Sequence, residues 1–248
     1  MSKPIVHAYF LCFNEEYILP HLLKYYSSFC EKIFILDNKS TDNSLNIIKS
    51  FPNTEIIEWD SNNEVRDDLY LNLKNNVWKQ SIGIADFVIV GDSDEFLYHE
   101  DIVKFLTVSK ERNFTIFRPE GYHMIGDEDL ILNSDDNLFE KVKYGIKGSS
   151  NDKLMLFDCN KIKEINYSFG CHQANPVGEV VMCSDPKLKM LHYKYLGLSD
   201  FIPKQKLRGE RLSQFNHNYG LGSYYLFTPE KHKEEYKSFI EKRKQVIK

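Results

Sequence analysis

The first half of the chain alternates short apolar runs with amphipathic stretches. The apolar runs at 5–12, 32–36, 54–59 and 87–90 are rich in β-branched and aromatic residues, which predicts buried strands. Between the last two runs, Val65, Leu69, Leu73 and Val77 recur at four-residue spacing and predict a helix that ends at Gly83. This strand–helix alternation predicts a parallel, three-layer α/β sheet with right-handed crossovers.

Turn and capping residues divide these elements. Asn14 predicts the N-cap of a helix over 15–29, with Glu15 and Glu16 placed favourably in its first turn. A short helix is predicted over 42–50. The segment Ser61–Glu64 fits a capping box that opens the long helix.

The pattern changes after residue 94. A helix is predicted over 100–110 and a strand over 114–118, followed by an irregular stretch to about 152. Shorter strands of antiparallel character are predicted at 153–157, 162–167, 177–182 and 188–193, and a charged helix at 230–248. No low-complexity linker and no repeat separates these parts, so we expect a single domain.

Composition narrows the class of protein. The 248 residues are 42% apolar and 14% aromatic, which suits one globular domain with a sizeable core. Mean hydropathy is −0.45, and no apolar run approaches the ~18 residues of a membrane span. The N-terminus shows no signal peptide, and the five cysteines form no CxxC pair, so we expect reduced thiols and a cytoplasmic protein. A net charge of −4 does not suggest a nucleic-acid partner.

Carboxylates follow the fourth predicted strand directly. Asp92, Asp94 and Glu95 come after the apolar run 87–90, and ligands of open α/β sheets bind where strands end. Carboxylate oxygens are suitable ligands for a hard divalent cation. His192 alternates onto one face of a later strand with Leu188 and Met190 and offers a nitrogen ligand. The competing interpretations are a charged loop that caps the next helix and an ordinary core histidine.

Four short motifs follow predicted strands in a characteristic order. They are Phe13–Glu16, Asp37–Asp42, Asp92–Phe96 and Leu191–Tyr195. With them the chain resembles a family 2-type glycosyltransferase of the GT-A fold, in the bacterial branch with a D-x-D-E-F motif. The resemblance spans about residues 5–225.

The resemblance implies a fold and a domain layout. It implies a Rossmann-like three-layer α/β sandwich with a mostly parallel central sheet and a smaller antiparallel acceptor-side portion. One GT-A domain is expected over 1–228, with a nucleotide-binding half of about 1–100 and an acceptor half of about 101–228. A basic helix would follow at 229–248.

The resemblance also implies an activity. A sugar would move, usually with inversion, from a nucleotide diphosphate donor, with UDP-sugars favoured, to a glycan, lipid-linked or protein-bound acceptor in cell-surface polysaccharide biosynthesis. Mn²⁺ or Mg²⁺ would be held by Asp92, Asp94 and His192. A nucleotidyltransferase and a non-catalytic sugar-binding or nucleotide-binding module are the alternatives. The first is disfavoured because the loop after strand one, Cys12–Glu15, has no glycine.

Donor contacts are expected at strand ends and at basic positions. The expected set is Asn14, Asp37, Asn38, Arg66, Asp92, Lys153, Lys206 and Arg208. Asp37 also has the alternative of an Asx-turn. A solvated helix face is the alternative for Arg66 and Lys74, and for the basic segment that contains Lys204, Lys206, Arg208 and Arg211.

The catalytic base is expected in the second half of the chain. Glu120 follows a predicted strand and is the first choice, while His172, Asp127 and Glu179 are alternatives. The motifs of processive synthases are missing. The basic side of the C-terminal helix suggests peripheral contact with an anionic membrane at the inner face. The alternative is that the apolar side of this helix docks on the parent domain.

Overall fold

A computed structural model describes residues 3–248 and confirms the alternating pattern of the first half. Strands β1 to β4 lie side by side in the order β3–β2–β1–β4, all parallel. Their central members are buried on both faces because helices cover the sheet. The elements are β1 Val6–Cys12, α1 Leu19–Ser27, β2 Lys32–Asp37, α2 Ser44–Lys49, β3 Thr54–Glu58, α3 Asp67–Asn76, a 3₁₀ helix Val77–Ser81 and β4 Phe87–Asp92.

The second half adds short strands and a group of helices. The strands are β5 Glu95–Tyr98, β6 Ile116–Phe117, β7 Glu120–Ile125, β8 Tyr144–Lys147, β9 Leu156–Asp158, β10 Ile162–Glu164, β11 Val177–Gly178, β12 Met182–Cys183, β13 Lys189–Tyr195 and β14 Lys244–Gln245. The helices are α4 Ile102–Glu111, α5 Leu138–Lys141, α6 Leu198–Glu210, α7 Gln214–Asn218 and α8 Pro229–Lys242, with 3₁₀ turns at Ser149–Asn151, Phe169–Cys171 and Ser223–Leu226.

Twelve of the strands lie in two sheets, and β10 and β11 form a separate antiparallel pair. The larger one has the order β12–β6–β9–β4–β1–β2–β3, in which β9 runs antiparallel to both of its neighbours. The smaller one, β14–β8–β7–β13–β5, is antiparallel except for the β7–β13 pair. The α/β class, with a mainly parallel central sheet and a smaller, mostly antiparallel portion, is therefore confirmed.

The segment expected to be irregular up to residue 152 is in fact structured. It contains β7, α5 and β8, and β7 lies at the centre of the smaller sheet. The strand β7 is short and polar at several positions, so its own pattern is weak. Its partner β13 comes some 70 residues later, and this distant pairing stabilises the strand.

Two predicted helix starts were wrong. Helix α1 begins at Leu19 and not at residue 15, with no acidic residue in its first turn. Asn14 has a φ of 52°, and its Oδ1 accepts a hydrogen bond from the backbone N–H of Thr41 at 2.7 Å. Asn14 thus joins the loops after β1 and β2 instead of capping a helix. Likewise, Ser61 accepts from the N–H of Glu64, but the helix that follows begins only at Asp67.

The central sheet is packed on both faces. On one face, aromatic side chains such as Trp78, Tyr9 and Phe157 are fully buried. On the other, α1 buries Leu22, Leu23 and further apolar residues against the strands. All five cysteines are free and buried, as expected for core thiols.

Helix α8 docks on the rest of the chain by its apolar side. The fully buried Tyr236 accepts a hydrogen bond from the N–H of Gly197 at 2.7 Å, and its hydroxyl lies 3.0 Å from the carbonyl of Tyr195. The helix ends at Lys242, before the expected residue 248, and β14 then pairs with β8. In residues 3–248, no helix is long and apolar enough to cross a membrane.

Candidate functional site

A cavity of about 320 Å³ opens at the carboxyl ends of β1 and β4. The loop after β1, the turn after β4, the end of β13 and helix α6 contribute to its walls. Among its lining residues are Asn14, Glu15, Asn38, Lys74, Asp92, Asp94, Lys153, His172, His192, Lys194, Lys204 and Arg208. Ligands of open parallel sheets bind at this edge.

Asp94 and His192 meet in this cavity. The antiparallel register of β5 and β13 places His192 opposite Glu95, next to Asp94. The Nε2 atom of His192 lies 3.3 Å from Asp94 Oδ2, and Arg208 Nη2 lies 3.9 Å from the same oxygen. Burial tends to raise the pKa of Asp94, but His192 and Arg208 outweigh it and hold the pKa well below its usual range. Asp94 is therefore a permanent anion.

Asp92 faces two buried lysines. Its carboxylate lies 2.7 Å from Lys74 Nζ and 3.9 Å from Lys153 Nζ. Lys153 also pairs with the fully buried Glu95 at 2.5 Å. Burial acts to raise the pKa of Asp92, yet the two lysines lower it. The alternative that Lys74 lies on a solvated helix face was wrong, because this side chain is buried and paired with Asp92.

The carboxylate–histidine pair offers part of a metal-binding site. Within residues 3–248, no group of three or more His, Cys, Asp or Glu side chains is arranged to hold one. Asp94 and His192 nevertheless offer one oxygen and one nitrogen at a single point of the cavity. They fit a cation whose other ligands come from substrate and water, whereas Asp92 is turned to its lysines. The three-residue ligand set stays a prediction.

Glu15 has a different environment from the expected one. It is buried, and its carboxylate pairs with Lys204 at 2.9 Å and with Arg208 at 3.3 Å. Burial raises the pKa of Glu15, although both cations oppose this. Glu15 thereby holds two cations of α6 over the cavity instead of stabilising the start of α1.

Five of the eight expected donor-binding residues line the cavity. They are Asn14, Asn38, Asp92, Lys153 and Arg208. Asp37 does not line the cavity but is buried beside Asn38. Its Oδ2 accepts from the N–H of Ser40, and its Oδ1 has no hydrogen-bond partner in the described part of the chain.

Arg66 and Lys206 lie elsewhere. The guanidinium of Arg66 is held by Asp68, and exposed Lys206 pairs with Glu210 along α6. Neither side chain lines the cavity. For Arg66 the solvated helix end is therefore the better description, and a phosphate contact by Lys206 has no geometric support.

His172 is the expected base candidate that lines the cavity. Its Nδ1 lies 2.7 Å from the carbonyl oxygen of Ser150, so Nδ1 carries the proton and Nε2 keeps its lone pair. Burial and nearby Lys153 lower the pKa of His172, which favours this neutral form. Gly170 permits the arrangement: its φ is +71°, and a Cβ there would lie 2.8 Å from the imidazole.

Glu120 and the two alternative carboxylates lie outside the cavity. Glu120 binds Lys147 at 2.9 Å and the hydroxyl of Tyr122 at 2.7 Å. In the β7–β13 pairing Glu120 lies opposite Lys189, which is three positions, or about 10 Å along the strand, from His192. Asp127 pairs with Arg243, and Glu179 with Lys161. The geometry therefore does not support Glu120, the first choice, as the catalytic base.

Sequence reasoning missed a cationic and aromatic wall. Lys194 follows His192 by two positions and lines the cavity together with Tyr224 and Tyr225. Its Nζ lies 4.1 Å from the centre of the Tyr224 ring. Burial and nearby Arg208 lower the pKa of Lys194 to about 8. The strand alternation that singled out His192 applies equally to Lys194 and was the available signal.

The chain was compared with known proteins. No protein-family profile matches it, and no curated protein does. Among solved structures, Staphylococcus aureus TarS is similar over 83% of this chain and 39% of that one, with 14% identity and a TM-score of 0.47. TarS 1–349 in complex with UDP-GlcNAc is similar over 84% of this chain and 66% of that one, with 15% identity and a TM-score of 0.48.

A third similar structure is glucosyl-3-phosphoglycerate synthase from Mycobacterium tuberculosis with Mn²⁺, UDP and glucosyl-3-phosphoglycerate. It covers 48% of this chain and 44% of that one, with 15% identity and a TM-score of 0.33. The present chain thus spans 39% of the first structure and 44% of the third, less than half of each.

Proposed function

We propose that the chain is a glycosyltransferase that moves a sugar from a nucleotide diphosphate donor to an acceptor hydroxyl. The observation that carries this proposal is the meeting of Asp94, His192 and Arg208 in one cavity at the carboxyl edge of a parallel sheet. A fixed anion beside an imidazole and a guanidinium suits a metal-bound diphosphate. The motif resemblance supports the same activity.

The nucleotide would bind at the loops after β1 and β2. Asn14 and Asn38 line this side of the cavity. Asp37 is next to them, and its unpartnered Oδ1 can accept a hydrogen bond from a ligand. Uracil donates through its N3–H, which cytosine lacks, so we favour UDP as the nucleotide.

Asp94 and His192 would hold Mn²⁺ or Mg²⁺. When bound, such an ion neutralises charge on the diphosphate. The chain itself brings Lys204 and Arg208 to the same region, and Glu15 fixes both of them. Preorganised cations of this kind stabilise a leaving group without rearrangement during the reaction.

His172 is the proposed base. The bond between the anomeric carbon and the β-phosphate oxygen breaks, and its electron pair stays on the phosphate. The acceptor oxygen bonds to the anomeric carbon from the opposite face, which inverts the configuration, and its proton passes to Nε2 of His172. The acceptor class is a glycan, a lipid-linked glycan or a protein-bound one.

Calorimetry with UDP, GDP, dTDP and CMP, with and without Mn²⁺, tests this function. We expect UDP to bind most tightly and to need both Mn²⁺ and Asp94. Asp94→Asn should abolish the Mn²⁺-dependent part of the affinity, whereas the exposed Asp135→Asn serves as the matched control and should not. Equal UDP affinity of wild type and Asp37→Ala would refute the proposed hydrogen bond between Asp37 and uracil. If no nucleotide binds to the wild type, the proposed function is wrong.

A further inference from the structure

Lys194 is a cavity lysine whose ammonium has no carboxylate of residues 3–248 within ion-pairing distance, although Glu235 and Asp94 act on it from farther away. The side chain is half-buried in the cavity wall, on the same face of β13 as His192. Aromatic rings surround its Nζ, with ring centres at 4.1 Å for Tyr224, 5.5 Å for Tyr195 and 6.0 Å for Tyr225. These rings attract the cation by their faces and exclude water from one side of it.

The other lysines of the cavity and Arg208 are ion-paired, whereas the guanidinium of Arg211 lies over the ring of Phe13. Lys204 pairs with Glu15 and Asp200, and Arg208 pairs with Glu15. For Lys194, by contrast, no carboxylate oxygen of the described residues lies within 4 Å of Nζ. A partly desolvated ammonium without an anion is costly, and a ligand that supplies the anion removes this cost.

The position of Lys194 indicates which anion it meets. It lies two positions beyond His192, whose imidazole faces Asp94, and Arg208 also approaches Asp94, at 3.9 Å. Lys194 and Arg208 are thus two cations beside the point where the proposed donor diphosphate would be held. Because Arg208 is already paired with Glu15, the anion that Lys194 lacks has to come from the ligand, and the diphosphate is the anionic part of the proposed donor.

We propose that Lys194 binds the β-phosphate of the donor and neutralises the charge left on it when the sugar departs. This inference rests on the proposed function. The anomeric C–O bond breaks with both electrons kept by the β-phosphate oxygen, and Lys194 keeps its own proton throughout. The lysine therefore acts as a fixed charge beside the leaving group, and no further reactant is needed.

Lys194→Met removes the charge and keeps the length of the side chain. Calorimetry with uridine, UMP and UDP, in the presence of Mn²⁺, locates the lost contact. We expect UDP affinity to fall about 10- to 100-fold, as for a charge-assisted hydrogen bond, with uridine and UMP nearly unchanged. Lys189→Met is the matched control, since Lys189 lies in the same strand but donates to the carbonyl of Val246, away from the cavity.

A second variant separates charge from packing. Lys194→Arg keeps a cation and should retain most of the UDP affinity, while thermal unfolding of each variant checks that the fold persists. Unchanged UDP affinity in Lys194→Met overturns the proposal, as does an equal loss for uridine and UMP. A loss confined to UDP-glucuronate, relative to UDP-glucose, would assign the lysine to a sugar carboxylate and would also overturn it. If the wild type binds UMP and uridine but not UDP, both the proposed function and the role of Lys194 are wrong.

Discussion

The buried pair of Lys153 and Glu95 allows a quantitative prediction. Their charged atoms lie 2.5 Å apart, and their side chains are only 6% and 1% exposed. Lys153→Met leaves Glu95 as an unpaired anion in the interior and removes one of the two lysines near Asp92. Breaking a buried ion pair by removing one partner costs about 3–5 kcal/mol of unfolding free energy.

For a chain of this length, that loss lowers the melting temperature by about 6–20 °C. Urea denaturation followed by circular dichroism measures the unfolding free energy directly. Lys161→Met is the matched control, because Lys161 pairs with Glu179 at 2.8 Å on the surface, where the two side chains are 45% and 68% exposed. Exposed pairs contribute about 0–1 kcal/mol, so this control should stay near wild type.

The double variant Lys153→Met with Glu95→Gln tests the cause. Glutamine keeps an acceptor for the backbone N–H of Asp92, which Glu95 now binds at 3.1 Å, but carries no charge. Most of the lost stability should therefore return. A cost below about 1 kcal/mol for Lys153→Met, or a double variant as unstable as the single one, would refute the buried-pair reasoning.

Three further expectations concern the base, the glycine beside it and the C-terminal helix. Because burial lowers the pKa of His172 below its ordinary 6.5, its basic form persists as pH falls, and the acid limb of kcat/KM should lie below pH 6.5; a limb above that value would contradict this assignment. Gly170→Ala should reduce kcat far more than UDP affinity, since the new Cβ displaces His172; equal kinetics in a pre-steady-state assay would contradict it. Because α8 buries Tyr236 against the domain, the full chain should not co-sediment with anionic liposomes, and salt-sensitive binding would show that the helix has a second, membrane-facing role.

The first half of the fold and one edge of the site follow from local patterns in the chain. Each strand and helix there carries its own periodicity, and parallel strands bring their carboxyl ends to a common edge. For that reason the position of Asp92 and Asp94 at the end of one strand is enough to place them at the ligand-binding edge, where the cavity lies. His192 is predicted from a different signal, its alternation with Leu188 and Met190 along one face of a strand.

Contacts between side chains that are distant in the sequence depend on the packing of the whole chain. Glu15 and Lys204 are 189 positions apart in the sequence and form an ion pair. Lys74 pairs with Asp92, although its sequence context is equally compatible with an exposed position on a helix. Glu120 and His172 are both suitable bases by residue type, but of the two only His172 lines the cavity. Glu120 pairs with Lys189, which lies three positions before His192 in β13. Local periodicity reports the face of an element that is buried; it carries no information on its distant partner, which the packing of the whole chain selects.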